Sequence, residues 1–261
     1  MKILFIGDIV GRTGRQVLSA RLHRLVDRHQ IDLVVANGEN AAAGFGLTQD
    51  IAREFFDLGV DVLTSGNHIW DKKDISSYLQ EEKRLLRPAN YPPGLAGRGC
   101  GVFATSAGIE VGIINLEGRV FMNNLECPFR VADTLIDQLR IRTPIILVDF
   151  HAEATSEKIA LGCYLDGRVS AVVGTHTHVQ TADERILPGG TAYLTDAGMT
   201  GSRDSVIGIR KELAIERFLT QLPVRFEVAK KGPILNGAIF DIDENSGRAT
   251  GVERVLEEVD L

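Results

Sequence analysis

The sequence predicts an α/β fold in which two β-sheets pack together and helices cover their outer faces. Two observations predict it. The first seventy residues alternate short apolar runs with helical periods in the order β-α-β-α-β, which calls for a parallel sheet with right-handed crossovers. The second half is richer in strand patterns and hairpins, so a second sheet is expected. The chain has 261 residues and no repeat, low-complexity segment or obvious linker, so one domain over residues 1–261 is expected.

The elements come in order along the chain. Lys2–Gly7 is an apolar run ending in a turn, too short for a signal-peptide core and fit for a buried strand. Val17, Leu18, Leu22, Leu25 and Val26 recur at helical spacing and predict a helix over Arg15–His29. Ile31–Ala36 reads as a second strand. Thr48–Leu58 reads as a helix, with Thr48 as N-cap and Gly59 as stop. Asp61–Thr64 is expected as a third strand. Pro88–Gly101 is rich in Pro and Gly and is expected to be loop, a rim or a subunit contact. Gly101–Thr105 and Glu110–Asn115 predict a hairpin around Ala107-Gly108. Pro128–Arg140 is expected as a helix, Pro144–Phe150 as a strand, Glu153–Leu161 as a helix and Ser170–Gly174 as a strand. Thr191–Thr195, Phe226–Ala229, Ala238–Asp243 and Ala249–Val255 read as strands, with a helix near Lys211–Leu219 and a turn at Glu244-Asn245-Ser246-Gly247.

Composition narrows the function classes. With 44% hydrophobic and 25% charged residues the chain is neither disordered nor fibrous. Its net charge of −6 makes it a poor partner for long nucleic acid or an anionic membrane, while a single nucleotide held by a local cation stays open. No run of about 18 apolar residues is present to span a membrane. Cys100, Cys127 and Cys163 are odd in number and form no CxxC. Neither a disulfide framework nor a thiolate zinc site is expected, and a reducing cytoplasm is the simplest compartment.

The chemistry lies at the C-terminal ends of the strands. Gly7-Asp8-Ile9-Val10-Gly11 comes after the first, Asn37-Gly38-Glu39-Asn40 after the second and Ser65-Gly66-Asn67-His68 after the third. Later strands end in Asp149-Phe150-His151 and Gly174-Thr175-His176-Thr177-His178. In an open parallel sheet the C-terminal strand ends line the ligand crevice. Mixed Asp, Glu, Asn and His there suit Mn²⁺, Fe or Zn²⁺ rather than Ca²⁺. Two metals ~3.5–4 Å apart need about seven protein ligands with one shared carboxylate. Asp8, Glu39, Asn40, Asn67, His151, His176 and His178 supply that number. Glycines 7, 38, 66 and 174 would let the backbone turn sharply beside the ions. Taken singly, an Asp in a turn, a Gly-Asn or a loop Glu is ordinary turn chemistry. The joint pattern carries the site, because four of the six histidines fall in it and only His23 and His29, in the first helix, do not.

Gly7-Asp8, Gly66-Asn67-His68, His151 and Gly174-Thr175-His176-Thr177-His178 resemble the signature of calcineurin-type metallophosphoesterases. The strings over 7–11, 36–40, 65–71, 149–154 and 174–181 are similar, more narrowly, to the bacterial YmdB-type phosphodiesterases. The resemblance implies a four-layer α/β/β/α sandwich of two mixed sheets flanked by helices, a dinuclear centre and hydrolysis of small phosphodiesters, including 2′,3′-cyclic nucleotides. The broad superfamily has Asp-x-His in its first motif, where this chain has Val10, and a bridging Asp in its second, where this chain has Glu39 and Asn40. Glu39 is therefore expected to bridge and the Asn40 carbonyl to replace the missing imidazole. One ion then takes Asp8, Glu39, Asn40 and His178, the other Glu39, Asn67, His151 and His176. The harder oxygen ligand favours Fe or Mn²⁺ over Zn²⁺, with two ions per chain.

The expected mechanism is in-line attack on phosphorus by a metal-bridging hydroxide, with His68 as general acid for the leaving alkoxide. The alternative for His68 is support of the ligands beside it. Trp70 is expected to stack on a base or to pack, and Asp71 to orient His68 or cap a helix. The Asp196–Gly201 segment is a candidate site wall, and Arg12 and Arg203 are candidate phosphate contacts or surface residues. A dinucleotide fold is disfavoured by the Gly7–Gly11–Gly14 spacing and leaves His176 and His178 unexplained. A nucleotide-binding regulatory protein with slow turnover, or a phosphomonoesterase or nuclease built on the same centre, are the competing functions. A homo-oligomer fits a soluble enzyme of this kind.

Overall fold

Alternation within the first strand sets the layering. In β1 (Lys2–Ile6), Ile3 and Phe5 join one apolar core while Leu4 and Ile6 join another, as opposite faces of a strand buried on both sides must. The computed structural model describes residues 1–260. After β1 come β2 (Asp8–Ile9), α1 (Gly11–His29), β3 (Leu33–Asn37), α2 (Gln49–Asp57), β4 (Val62–Thr64) and α3 (Ile75–Glu81). Next are β5 (Cys100–Ala104), β6 (Glu110–Glu117), α4 (Pro128–Arg140), β7 (Ile146–His151), α5 (Thr155–Leu165) and β8 (Ala171–Thr175). The chain ends with β9 (Arg185–Ile186), β10 (Ala192–Leu194), β11 (Met199–Ser202), α6 (Lys211–Thr220), β12 (Pro233–Ile242) and β13 (Ala249–Glu258).

The strands form two mixed sheets. The first runs β2-β11-β12-β1-β3-β4, with β13 also paired to β12, and the second runs β5-β6-β7-β8-β10-β9. β1, β3 and β4 are parallel, as are β6, β7, β8 and β10. Three cores separate four layers. Leu18, Leu22 and Phe55 pack helices α1 and α2 on the first sheet. Phe5, Val35, Leu147 and Val173 fill the space between the sheets. Ile136 and Leu161 pack α4 and α5 on the second sheet. This is the expected α/β/β/α sandwich.

Register brings the strand ends level. Asn37 pairs with Thr64 at the ends of β3 and β4, and His151 with Thr175 at the ends of β7 and β8. Helix α1 begins at Gly11, four residues before the expected start at Arg15. Its first turn meets β11 through backbone: a Cβ on Gly14 would stand 2.3 Å from the Thr200 carbonyl oxygen. The strand expected over Phe226–Ala229 is not formed. That segment instead makes a single antiparallel bridge, Val228 with Ile209, with Arg210 N–H donating to the Glu227 carbonyl and Ala229 N–H to the Gly208 carbonyl, and the loop it meets is too short to extend a ladder. No helix is long and apolar enough to cross a membrane among the described residues.

Candidate metal centre

The sheet ends deliver six of the seven expected ligands into buried positions or onto the wall of one cavity. Asp8 in β2, Glu39 and Asn40 after β3, and His151 at the end of β7 are all buried. His151 Nε2 lies 3.0 Å from Glu39 Oε1, 3.1 Å from Asn67 Oδ1 and 3.0 Å from His176 Nδ1. The same Glu39 Oε1 also accepts from Asn40 Nδ2 at 3.0 Å, and that Nδ2 stands 3.1 Å from His178 Nε2. His178 Nε2 is 4.0 Å from Asp8 Oδ1. Two groups of side chains thus meet at Glu39. The Asn40 amide presents its Nδ2 to these atoms, not the carbonyl oxygen expected from the sequence.

The histidine loop is strained and braced. His176 and His178 have φ of 96° and 66°, left-handed values that cost ~1–3 kcal/mol for a residue with a side chain. Asp196 holds the residue between them, accepting from Thr177 N–H at 3.2 Å and from its hydroxyl at 2.7 Å. Lys158 neutralises Asp196 at 2.6 Å, with both side chains buried. His176 N–H donates to Asp8 Oδ2 at 3.1 Å, and His178 Nδ1 faces the Ile207 carbonyl at 2.9 Å. Asp196 is thus a brace beneath the loop rather than a site wall.

None of the four strand-end glycines has a positive φ, but Gly38 and Gly66 each open a turn, their carbonyls accepting from Ala41 N–H and Ile69 N–H at 3.2 Å. At Gly66 the need is space. A Cβ there would stand 2.2 Å from His151 Cδ2 and 2.3 Å from Glu39 Oε2. Four polar side chains complete the floor. Thr175 stands 2.9 Å from His151 Nδ1 and donates to Asp149 at 2.8 Å, while Thr64 and Asn37 also donate to Asp149. Burial pushes the Asp149 carboxyl up to about 7. Glu153 reaches His176 Nε2 at 3.1 Å. Spacing did not single out Glu153 or Asp149, although both lie within the string around His151.

The charges are unevenly shared. Burial disfavours the Glu39 carboxylate, yet His151 outweighs it and holds the carboxyl at about 2. Burial disfavours the His151 cation too, and Glu39 outweighs it, raising the imidazole to about 9. Burial and the charge on His151 push His176 down to about 3. Burial raises Asp8 above the ordinary carboxylate range.

These residues fit a cation. Asp8 Oδ1 is buried with no hydrogen-bond partner, only the His151 and His178 rings at 3.7 and 4.0 Å, which is costly unless a cation meets it more closely. Glu39, His151 and His176 each offer a ligand atom, all within 4.8 Å of one another. His68 lines a 410 Å³ cavity over this cluster together with Glu39, His176 and His178. Its Nδ1 lies 2.9 Å from Asp71 Oδ2, and its backbone N–H donates to Glu39 Oε2 at 3.2 Å. Asp71 therefore orients His68. Trp70 packs against the helix-side core and Tyr91 instead of entering the cavity. Arg203 pairs with Glu258 at the surface, and Arg12 lies on a separate cleft with Arg15 and Glu54.

The family model described as YmdB-like protein matches residues 4–255. A Bacillus subtilis (strain 168) protein named 2′,3′-cyclic-nucleotide 2′-phosphodiesterase is 51% identical over 256 residues, covering 98% of this chain and 97% of that one. A crystal structure of a hypothetical protein from Thermus thermophilus superposes with a TM-score of 0.93 at 42% identity, covering 99% of each chain. A crystal structure described as a novel phosphatase of Mycoplasma pneumoniae superposes with a TM-score of 0.93 at 37% identity, covering 99% of this chain and 93% of that one. The chain belongs to the YmdB-like family.

Proposed function

We propose that this chain is a metal-dependent phosphodiesterase acting on small phosphodiesters, 2′,3′-cyclic nucleotides among them. As a member of its family it is an enzyme, a phosphoric ester hydrolase. The observation that carries the finer proposal is Glu39 standing between two donor groups, with the buried Asp8 Oδ1 unpartnered beside it. Asp8, Glu39, Asn40 with its amide turned so that the carbonyl oxygen faces the ion, and His178 would hold one ion, and Glu39, Asn67, His151 and His176 the other. When bound, two such ions, Fe or Mn rather than Zn given the oxygen-rich donor set, would lower the pKa of water and neutralise the phosphoryl oxygens.

The chain's own residues supply the rest. His68 gives a proton to the leaving oxygen, and Asp71 on Nδ1 fixes the ring so that Nε2 is the nitrogen available for it. Thr175 and Asp149 orient His151, the Ile207 carbonyl orients His178, and the Asp196 brace holds the loop that carries both His176 and His178. The three free cysteines fit the reducing cytoplasm in which we place the enzyme.

The test is hydrolysis of 2′,3′-cyclic AMP by protein stripped with chelator and reloaded with Mn²⁺. Activity should vanish and return. A preparation holding two metals per chain that turns over no phosphodiester would overturn the proposal.

A further inference from the structure

The cavity over the centre has two unlike ends. Glu39, His176 and His178 form the polar end. Phe45, Ile207, Ile209 and Phe226 form the other, and Phe226 and Ile207 are left 39% and 51% exposed. Apolar side chains of this size are normally covered, and here they stand beside a charged centre in a space of 410 Å³, within the ~300–1,000 Å³ of small-molecule sites. The wall is preformed. Ile207 is tied to the centre through its carbonyl and His178 Nδ1, and the Phe226 segment is tied to the Ile207–Arg210 loop by the Glu227–Arg210 and Ala229–Gly208 hydrogen bonds. Phe45 stands edge-on to His68, with ring centroids 5.1 Å apart.

We propose that Phe45 and Phe226 form a slot that stacks the base of a nucleotide substrate and sets the preference for nucleotides over simpler phosphodiesters. This rests on the phosphodiesterase function proposed above. In a 2′,3′-cyclic nucleotide the leaving oxygen and the base sit on the same ribose. If His68 faces the leaving oxygen, the ring beside His68 is where the base comes to lie. Phe45, Ile207, Ile209 and Phe226 themselves offer a base edge no side-chain donor or acceptor. Recognition therefore goes through the faces of the base, which every base offers.

The test compares 2′,3′-cyclic AMP and 2′,3′-cyclic CMP with glycerol 1,2-cyclic phosphate, which keeps the five-membered phosphodiester and lacks a base. Mn²⁺-loaded enzyme should prefer both nucleotides in kcat/KM, and the two should lie within about tenfold of each other. Phe226→Ala and Phe45→Ala should each shrink the nucleotide-to-glycerol ratio about fivefold or more, chiefly through KM for the nucleotides. Phe218→Ala, on the outer face of α6, should leave the ratio unchanged. Equal kcat/KM for nucleotide and glycerol esters, or a ratio unmoved by Phe226→Ala, would overturn the slot and leave the phosphodiesterase standing. Strong preference for a single base would overturn recognition by faces. Loss of turnover on all three esters in protein holding two metals would overturn both proposals.

Discussion

The floor and the wall of the cavity are built in opposite ways. The floor stands on strand ends, its candidate ligands are buried or half-buried, and most have a fixed partner. The wall stands on loops, its side chains are apolar and half exposed, and its shape depends on two backbone tethers. The difference reflects the two jobs. Buried charges in a low-dielectric site tolerate little displacement, whereas an apolar contact weakens gradually as it moves. The floor should therefore fail abruptly and the wall by degrees.

Gly66→Ala should break the floor most completely. The added methyl collides with both His151 and Glu39, and a misplacement of about 1 Å in such a site costs about a hundredfold or more. Elemental analysis should find metal lost along with activity; a variant that keeps two ions and normal turnover would show that the floor can give way. His68→Ala should lower kcat by ~10²–10⁴ with metals retained, and by less when the leaving group is p-nitrophenolate, which needs no proton. An equal loss on both kinds of ester would remove the general-acid role.

Lys158→Met strands the Asp196 charge in the interior and should destabilise the fold by about 3 kcal/mol in urea unfolding. Adding Asp196→Asn should recover part of that loss, and no recovery would show that packing, not charge, set the cost. A proton should mark the floor as well. Glu39 raises His151 to about 9, so in the metal-free protein His151 is protonated at neutral pH and must release that proton to ligate. Metal affinity should climb with pH, about tenfold per unit up to about pH 9, and an affinity flat between about pH 7 and 9 would contradict the Glu39–His151 coupling. On the wall, Phe226→Leu should change thermal stability by less than about 1.5 kcal/mol.

The floor was legible in the sequence and the wall was not. Asp8, Glu39, Asn67, His151, His176 and His178 each close an apolar run, and a strand's C-terminal end can put its residue in only one place, so chain order was enough to gather them. Phe45, Ile207 and Phe226 sit in segments with no period, and Phe226 lay within an expected strand. The helix start at Gly11 was hidden because Gly14, not an apolar side chain, meets β11 there.

The amino-acid sequence by itself determined the layer order, through the alternation of strand and helix periods, and the chemical identity of the candidate ligands, through residue type at strand ends. The tertiary structure alone decided which atoms meet. That Glu39 stands between two donor groups, that Lys158 and Asp196 brace a left-handed histidine loop, and that Gly66 is required for space rather than for its φ all depend on contacts between distant segments. Local pattern encodes how a segment folds, while close packing between segments fixes distances to a few tenths of an ångström.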